Sequence, residues 1–280
     1  MSLVPKADLH IHTTASDGLS TPEEIVDKAA EQGLYAISIT DHDTYAGYHK
    51  ARARGAEKNV EVIPGMEITC DYNGRECHML AYGFDLANEE LVSFVHKQKL
   101  RRNKRARVMI SNLNKLGFDI SIEDVMAESG TLNISRNHLA AVMVSKGYAT
   151  HKKMVFNKYL GDHASAYYKI EYAPVEEVIQ MVKRCGGVSV LAHPGLYFVD
   201  EDVTYMLKAG VDGFECIHPS HNFTLQKRYT KLCDDNRLLK TGGSDYHGHK
   251  NAQHNLFGTV AIEKSWVDRL LEVCEQTKKH

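Results

Sequence analysis

Residues 6–18, "KADLHIHTTASDG", carry two histidines and two aspartates. A strand that needed only burial would use Val, Ile or Leu at those positions. "ADLHIHT" reads as a strand, and side chains at i, i+2 and i+4 of a strand share one face. Asp8, His10 and His12 therefore point the same way. On the first strand of a barrel that face is the lumen, with His12 nearest the C-terminal mouth, where active sites lie. Two imidazoles side by side suit a metal ion. An aspartate deeper on the same face suits an outer acceptor that fixes a ring tautomer. A pair of hydrogen-bonded barrel histidines is the plain structural alternative.

The same residue types recur at other strand ends. Asp41-His42-Asp43 follow "YAISIT" (35–40), and Glu67 ends a third strand region, "VEVIPGMEITC" (60–70). His78 lies past a hairpin turn at Asn73-Gly74. His193 follows "VSVLA", Glu215 and His218 follow "DGF", and Asp245 and His247 follow "LLKTGGS". Packing does not explain so many buried charges, which are costly unless paired or metal-bound. They also exceed the ligand set of a single zinc site, so more than one ion is expected.

Helices separate these strands. One starts at Thr21-Pro22-Glu23-Glu24, with Thr21 as N-cap and Glu24 closing a capping box, and ends at Gly33. A second runs to about Glu57. Others are expected from Pro174, over 200–209, over 221–236 and over 265–277, with "GVSVLAHPG" (187–195), "GFECIH", "LLKTG" and "LFGTVAI" as strands. Between them, from about Leu91, residues 91–160 show helical periodicity and almost no strand pattern. Six or seven βα units favour an α/β, TIM-like barrel over an open sheet. Residues 1–95 and 166–280 form the barrel, and 96–165 form a helical insertion.

Composition sets the class. At 280 residues, 43% hydrophobic and 25% charged, the chain is an ordinary globular one. A net charge of −2 excludes a global electrostatic grip on nucleic acid. Duplex DNA is not an expected partner. No apolar run reaches the roughly 18 residues of a membrane span, and nothing resembles a signal peptide. The six scattered cysteines form no C-x-x-C pair and read as reduced thiols, so the cytoplasm is the expected compartment. A Cys70–Cys77 disulfide is not expected. Oligomeric state is not legible.

The ordered motifs "DLHIHTTASDG", "TDHD", "GMEI", "CHMLAYG", "VLAHPG" and "GGSDYHG" resemble those of the PHP (polymerase and histidinol phosphatase) superfamily. "ISRNHLAAVMVSKGY…FNKYLG" and "ECIHPSH" further resemble its branch of 3′,5′-nucleoside bisphosphate phosphatases and 5′-3′ exoribonucleases. The resemblance implies a distorted (β/α)7 barrel with three divalent ions, Mn, Fe or Zn. In it, His10, His12, Glu67 and Asp245 would hold one ion. Glu67, His78 and His193 would hold a second, and Asp17, His42 and His247 a third. The implied chemistry is hydrolysis of phosphate esters by a metal-bridging hydroxide. The implied substrate is a nucleotide or the 5′ end of a short RNA.

Three residues are candidates for substrate binding and catalysis. Arg136, near a helix start, suits phosphate. His218 and His221, just past a strand, could bind phosphate or protonate the leaving oxygen, and His221 is the better match to the branch. His138 reads as a structural helix residue. "KQKLRRNKRAR" (97–107) has seven basic residues in eleven and reads as a solvated face or a weak steer for polyanions. Tyr72, Tyr167 and Tyr168 read as packing residues first and base-stacking residues second. The alternatives are a phosphatase for another small phosphomonoester of the histidinol-phosphate type, a C–N-cleaving amidohydrolase, and a non-catalytic metal- or nucleic-acid-binding module. The amidohydrolase wants a bridging lysine that the strand ends lack. The non-catalytic module requires gaps in the ligand set, and there are none.

Overall fold

The structure is a computed structural model that describes residues 6–131, 133–248 and 256–278. Strand β1 (Lys6–Ile11) pairs in parallel with β2 (Leu34–Ile39), and β2 with β3 (Glu61–Tyr72). Helices α1 (Pro22–Glu31) and α2 (Ala46–Lys58) make the crossovers. The start of α1 follows its sequence. The Glu24 amide donates to the Thr21 hydroxyl, the Thr21 amide donates to the Glu24 carboxylate, and Pro22 opens the first turn. Ile25, Val26 and Ala29 then face the sheet.

The parallel order breaks at Asn73-Gly74. Their φ angles, 51° and 78°, supply the left-handed backbone of a two-residue hairpin. The hairpin sends β4 (Arg75–Tyr82) back antiparallel to β3. The chain then leaves the sheet through α3 (Glu89–Lys115), α4 (Ile122–Ser129), α5 (Arg136–Ser145) and the short α6 (Lys152–Val155), which runs into a π-turn. Helix α7 (Val175–Arg184) leads into β5 (Val188–Leu191), antiparallel to β4. Parallel pairing resumes through α8 (Asp200–Ala209), β6 (Gly213–Ile217), α9 (Phe223–Asn236) and β7 (Leu239–Gly242). A two-residue β8 (Ile262–Glu263) pairs antiparallel with β1, and α10 (Lys264–Thr277) follows. Among the described residues the sheet therefore has eight strands, in the order β7-β6-β5-β4-β3-β2-β1-β8.

The expected barrel is found as a distorted, nearly closed one. The expected strand "LFGTVAI" reduces to Ile262 at its end. Phe257 spends its apolar surface on Tyr246 instead, ring to ring at 5.1 Å. Closure falls between β7 and β1, where the His12 amide donates to the Tyr246 carbonyl at 2.8 Å. A Cβ on Gly243 would lie 2.4 Å from the His10 nitrogen, so the approach needs glycine there. The same closure brings Asp245 and His247 against β1.

The helical segment starts close to the expected change of character near Leu91. Helix α3 begins at Glu89, where Asn88 caps it, and runs unbroken for 27 residues. Its first turns bury Leu91 on the barrel. Its later turns bury Met109 and Leu113 in a separate core with Val125, Leu139 and Met143. The basic run on α3 is not a purely solvated face. Gln98, Arg102 and Arg105 form a buried stripe, while Lys97, Lys104 and Arg107 face solvent. Arg102 reaches the Asp43 carboxylate at 2.5 Å and the Thr69 hydroxyl at 2.9 Å. Arg105 donates to the Tyr172 hydroxyl at 2.8 Å. A buried guanidinium needs such partners. Among the described residues, all six cysteines are unbridged and buried, and no helix is long and apolar enough to cross a membrane.

Helix α5 carries an unusual cap. The Asn137 amide donates to the Ser135 hydroxyl, and the Ser135 amide donates to His138 Nδ1 at 3.1 Å. His138 fills the place of the usual Glu or Gln. Burial pushes its imidazole down to about 4. Below the ordinary value of 6.5 the unfolded chain binds a proton that the folded chain refuses. Stability from this group is therefore complete above 6.5 and is lost as pH falls toward 4, by about 2 kcal/mol at pH 5. His138→Gln keeps an acceptor for the Ser135 amide and removes the titration. Its urea midpoint should fall less than that of the parent between pH 7.5 and pH 5. An equal fall in both proteins would contradict this role.

Candidate metal centre

Glu67 sits on β3 at the barrel mouth, 1% exposed, and five imidazoles converge on its carboxylate. Oε2 lies 3.5 Å from His10 Nε2, 3.2 Å from His12 Nε2 and 3.0 Å from His42 Nδ1. Oε1 lies 2.9 Å from both His78 Nδ1 and His193 Nε2. Asp245 closes the group from the β7 side. Its Oδ1 is 3.1 Å from His12 Nε2 and 3.4 Å from His10 Nε2, and its Oδ2 is 3.3 Å from His218 Nε2. Asp17 Oδ1 stands 3.5 Å from His247 Nε2, and the His12 and His247 rings stack at 3.9 Å. Donor atoms of His12, Asp17, His42 and His247 lie within 4.8 Å of one another. The same holds within each of three further sets: His10, His12 and Glu67; His42, Glu67 and His78; and His10, His218 and Asp245.

Local structure fixes these side chains. His193 and Asp245 leave their strands through positive φ, 28° and 49°, a rare backbone for such residues and common at functional sites. The loop carrying Asp17 is wrapped around Asp41. That carboxylate accepts the Thr13 amide and hydroxyl, each at 2.7 Å, and the Ser16 hydroxyl at 2.5 Å. Asp43 turns the other way, to Arg102 and Thr69. Of the triplet Asp41-His42-Asp43, only His42 faces the mouth. The insertion adds two clamps. Asn137 Nδ2 donates to Asp17 Oδ2 at 2.8 Å, and Asn133 Nδ2 donates to the His42 carbonyl at 2.7 Å.

The electrostatics are those of a cluster built for cations. Burial resists charge on every group, but pairing outweighs it at most of them. The surrounding imidazoles hold Glu67, Asp17 and Asp245 well below the usual carboxylate range. Asp245 and Glu67 push His12 up to about 10 against its burial. His10 and His78 are raised as well, whereas burial keeps His42 low. Even so, several buried donor atoms lack a well-angled hydrogen bond. They are His10 Nε2, both ring nitrogens of His12, Asp17 Oδ1, His42 Nδ1, Glu67 Oε2 and His78 Nδ1. Each orphaned atom costs about 1–3 kcal/mol when buried. Their convergence at one spot is what a metal site requires. Imidazole and carboxylate without thiolate suit Mn²⁺, Fe²⁺ or Zn²⁺.

The cluster opens into a cavity of about 430 Å³, lined by His78, His193 and Arg136 among others. Arg136 is the first residue of α5. It holds Glu76 Oε1 at 3.1 Å and Asp162 Oδ1 at 2.9 Å. Glu76 Oε1 also lies 3.5 Å from His78 Nε2, so one carboxylate links Arg136 to the cluster.

A profile of the PHP domain matches residues 8–166. The chain belongs to the PHP family. A 5′-3′ exoribonuclease of Haemophilus influenzae is 31% identical over 253 residues, covering 88% of this chain and 91% of its own. A phosphoribosyl 1,2-cyclic phosphate 1,2-diphosphodiesterase of Eggerthella lenta is 30% identical, covering 86% and 94%. A 3′,5′-nucleoside bisphosphate phosphatase of Chromobacterium violaceum is 29% identical, covering 86% of each chain. Among solved structures, a Bifidobacterium adolescentis protein assigned as a metal-dependent phosphoesterase superposes with a TM-score of 0.87 at 31% identity. It covers 95% of this chain and 96% of its own.

Within this PHP domain some roles differ from the sequence reading. Asp8 does not orient an imidazole. Its Oδ1 accepts the backbone amides of His10 and Ser244, and burial raises its pKa to about 7. Glu215 orients the ring instead. Its Oε1 lies 2.9 Å from His10 Nδ1, and its Oε2 accepts the His193 amide at 2.7 Å. His221 is turned away from the cavity's chemistry. Its Nδ1 meets the Cys216 carbonyl, its Nε2 accepts the Gly195 amide, and the ring is 4% exposed. With both nitrogens engaged by backbone, His221 does not meet a phosphate in this geometry. Tyr72 is a packing residue whose hydroxyl donates to Asp202 at 2.6 Å. Tyr168 packs on the core of the insertion. The Arg136 guanidinium lies 5.9 Å above the Tyr167 ring. Glu76, Asn133 and Asn137 were not singled out by the sequence. The polar run "NISRN" at the start of α5 was the available signal for the two asparagines.

Proposed function

We propose that this metal-dependent phosphoesterase acts on nucleotides that carry a second phosphate: nucleoside 3′,5′-bisphosphates or the 5′ end of short RNA. The observation that carries this reading is Arg136. It lies outside the cluster but on the same cavity wall as His78 and His193. A guanidinium there suits a second anion on the same substrate.

In this reading His10, His12, Glu67 and Asp245 hold one divalent ion. Glu67, His78 and His193 hold a second, and Asp17, His42 and His247 a third. When bound, such ions neutralise the scissile phosphate and acidify water. The chain does the rest. Arg136 exchanges its contact with Asp162 or Glu76 for the substrate's distal phosphate. Glu76 and Glu215 hold His78 and His10 in register. The Ser220 amide donates to His218 Nδ1, which places the proton of a neutral His218 on Nε2, facing Asp245. That N–H is placed at the mouth, where it donates a hydrogen bond to the leaving oxygen.

The test is a manganese-supplemented screen of nucleoside 3′,5′-bisphosphates, 5′-mononucleotides, short 5′-phosphorylated RNA and histidinol phosphate. A bisphosphate or the RNA should have the highest kcat/KM. Preference for histidinol phosphate would overturn the substrate class, and no turnover of any of them would favour a non-catalytic module. Arg136→Ala should raise KM for the bisphosphate by roughly 10- to 100-fold and change a mononucleotide far less. Equal, unchanged kinetics on both would remove Arg136 from substrate binding.

A further inference from the structure

The cavity continues past Arg136 to an aromatic rim. One wall is rigid. Phe198 stacks on Tyr72 at 5.8 Å with planes 20° apart, and the Arg75 guanidinium lies 5.1 Å over the same Tyr72 ring. Asp202 ties this wall down through the Tyr72 hydroxyl and Arg75. Tyr197, also on the cavity wall, is different: it is 84% exposed. Its neighbours Leu196 and Val199 are exposed as well. Scattered exposed apolar residues are ordinary. A group of them three to six residues beyond a candidate donor, His193, on a cavity that also holds Arg136, is not scattered.

The loop is built rather than loose at its root. The Gly195 amide is held by His221 Nε2 at 3.0 Å, and the Gly195 carbonyl accepts the Tyr229 hydroxyl at 2.7 Å. His221 stacks in turn on Tyr229 at 5.3 Å. Tyr229 lies on α9 and His221 on the loop that joins β6 to it. They fix the base of the loop and leave the Tyr197 ring at the rim. The volume suits a nucleotide-sized ligand, since small-molecule pockets start at about 300 Å³.

We infer that Tyr197 is the nucleobase subsite of this cavity. With one phosphate at the cluster and another at Arg136, the base of the substrate stacks on the Tyr197 ring at the outer end. This deepens the proposed function and rests on it for the placement of the phosphates. Stacking tolerates any base, because every base has a π-face, so the subsite selects for the presence of a base rather than its identity. His221 and Tyr229 serve as positioning residues for it.

Calorimetric binding of adenosine 5′-monophosphate and ribose 5-phosphate to the manganese-supplemented full chain tests this by affinity rather than by rate. The parent should bind the nucleotide about ten-fold or more tightly than the base-free sugar phosphate. Tyr197→Ala should bring the two affinities within about two-fold, and Tyr197→Phe should keep the preference, since the ring is retained. Equal affinities in the parent, or a preference that survives Tyr197→Ala, would overturn the subsite. Failure of the proposed function shows separately, as no turnover of nucleoside bisphosphates or RNA by the parent enzyme.

Discussion

Glu67→Gln should lower phosphate-ester hydrolysis by about a thousand-fold or more in kcat and remove at least one equivalent of bound metal. The substitution keeps the volume of the side chain and changes only its charge and donor pattern. Glu67 Oε2 faces His10, His12 and His42, and Oε1 faces His78 and His193, all within 3.5 Å. A glutamine offers one neutral oxygen and turns an NH₂ toward the other imidazoles. That group donates where a cation or a ring N–H needs an acceptor. Two proposed ions share this carboxylate, so both lose affinity. Glu67 is also buried, so the defect is not repaired by solvent. Phosphate release under saturating substrate, with metal content by elemental analysis, reads both effects. Activity within ten-fold of the parent, at unchanged metal content, would contradict the role of Glu67 as the shared donor.

Chelation should destabilise the protein, and by an amount that depends on pH. A ligand at a hundred times its Kd adds about 2.7 kcal/mol per site. For a chain of this length that is roughly 5–10 °C in Tm. The sign of the pH dependence follows from His12. Without metal, Asp245 and Glu67 overcome burial and raise this imidazole to about 10, so the folded state holds a proton that the unfolded state drops near 6.5. That contribution is complete below 6.5 and fades as pH rises toward 10, by up to about 1.4 kcal/mol per pH unit. With metal, the same nitrogens must be deprotonated, so loading is favoured as pH rises. The Tm difference between manganese-treated and chelated protein should therefore be larger at pH 8.5 than at pH 6.5. Identical melting in both states at both pH values would contradict it.

Much of the barrel is legible because its signals are local. The Thr21-Pro22-Glu23-Glu24 cap and the Asn73-Gly74 turn each name their own geometry. The site is legible for the same reason: His10, His12, His193 and Asp245 each sit at or just past a strand end, Glu67 and His78 sit within the β3–β4 hairpin, and barrel closure brings them together. What escapes is pairing across long sequence distances. Asp8 lies on the right face, but its oxygen is taken by two backbone amides, and the ring-orienting carboxylate is Glu215, more than two hundred residues from His10. Arg102 and Arg105 look like solvated charges until Asp43 and Tyr172 arrive from elsewhere in the chain. His218 and His221 are equivalent on a loop read from sequence. Only the fold shows that one faces Asp245 and the other is locked onto backbone.

Anomalous diffraction from crystals grown with manganese tests the gathering of these donors most directly. Peaks should lie within about 2.5 Å of a Glu67 oxygen and of the nitrogens of His10, His12, His78 and His193, with a further peak between Asp17, His42 and His247. Fully loaded crystals with no peak at Glu67, or with the His10 and Glu67 side chains turned apart, would contradict it.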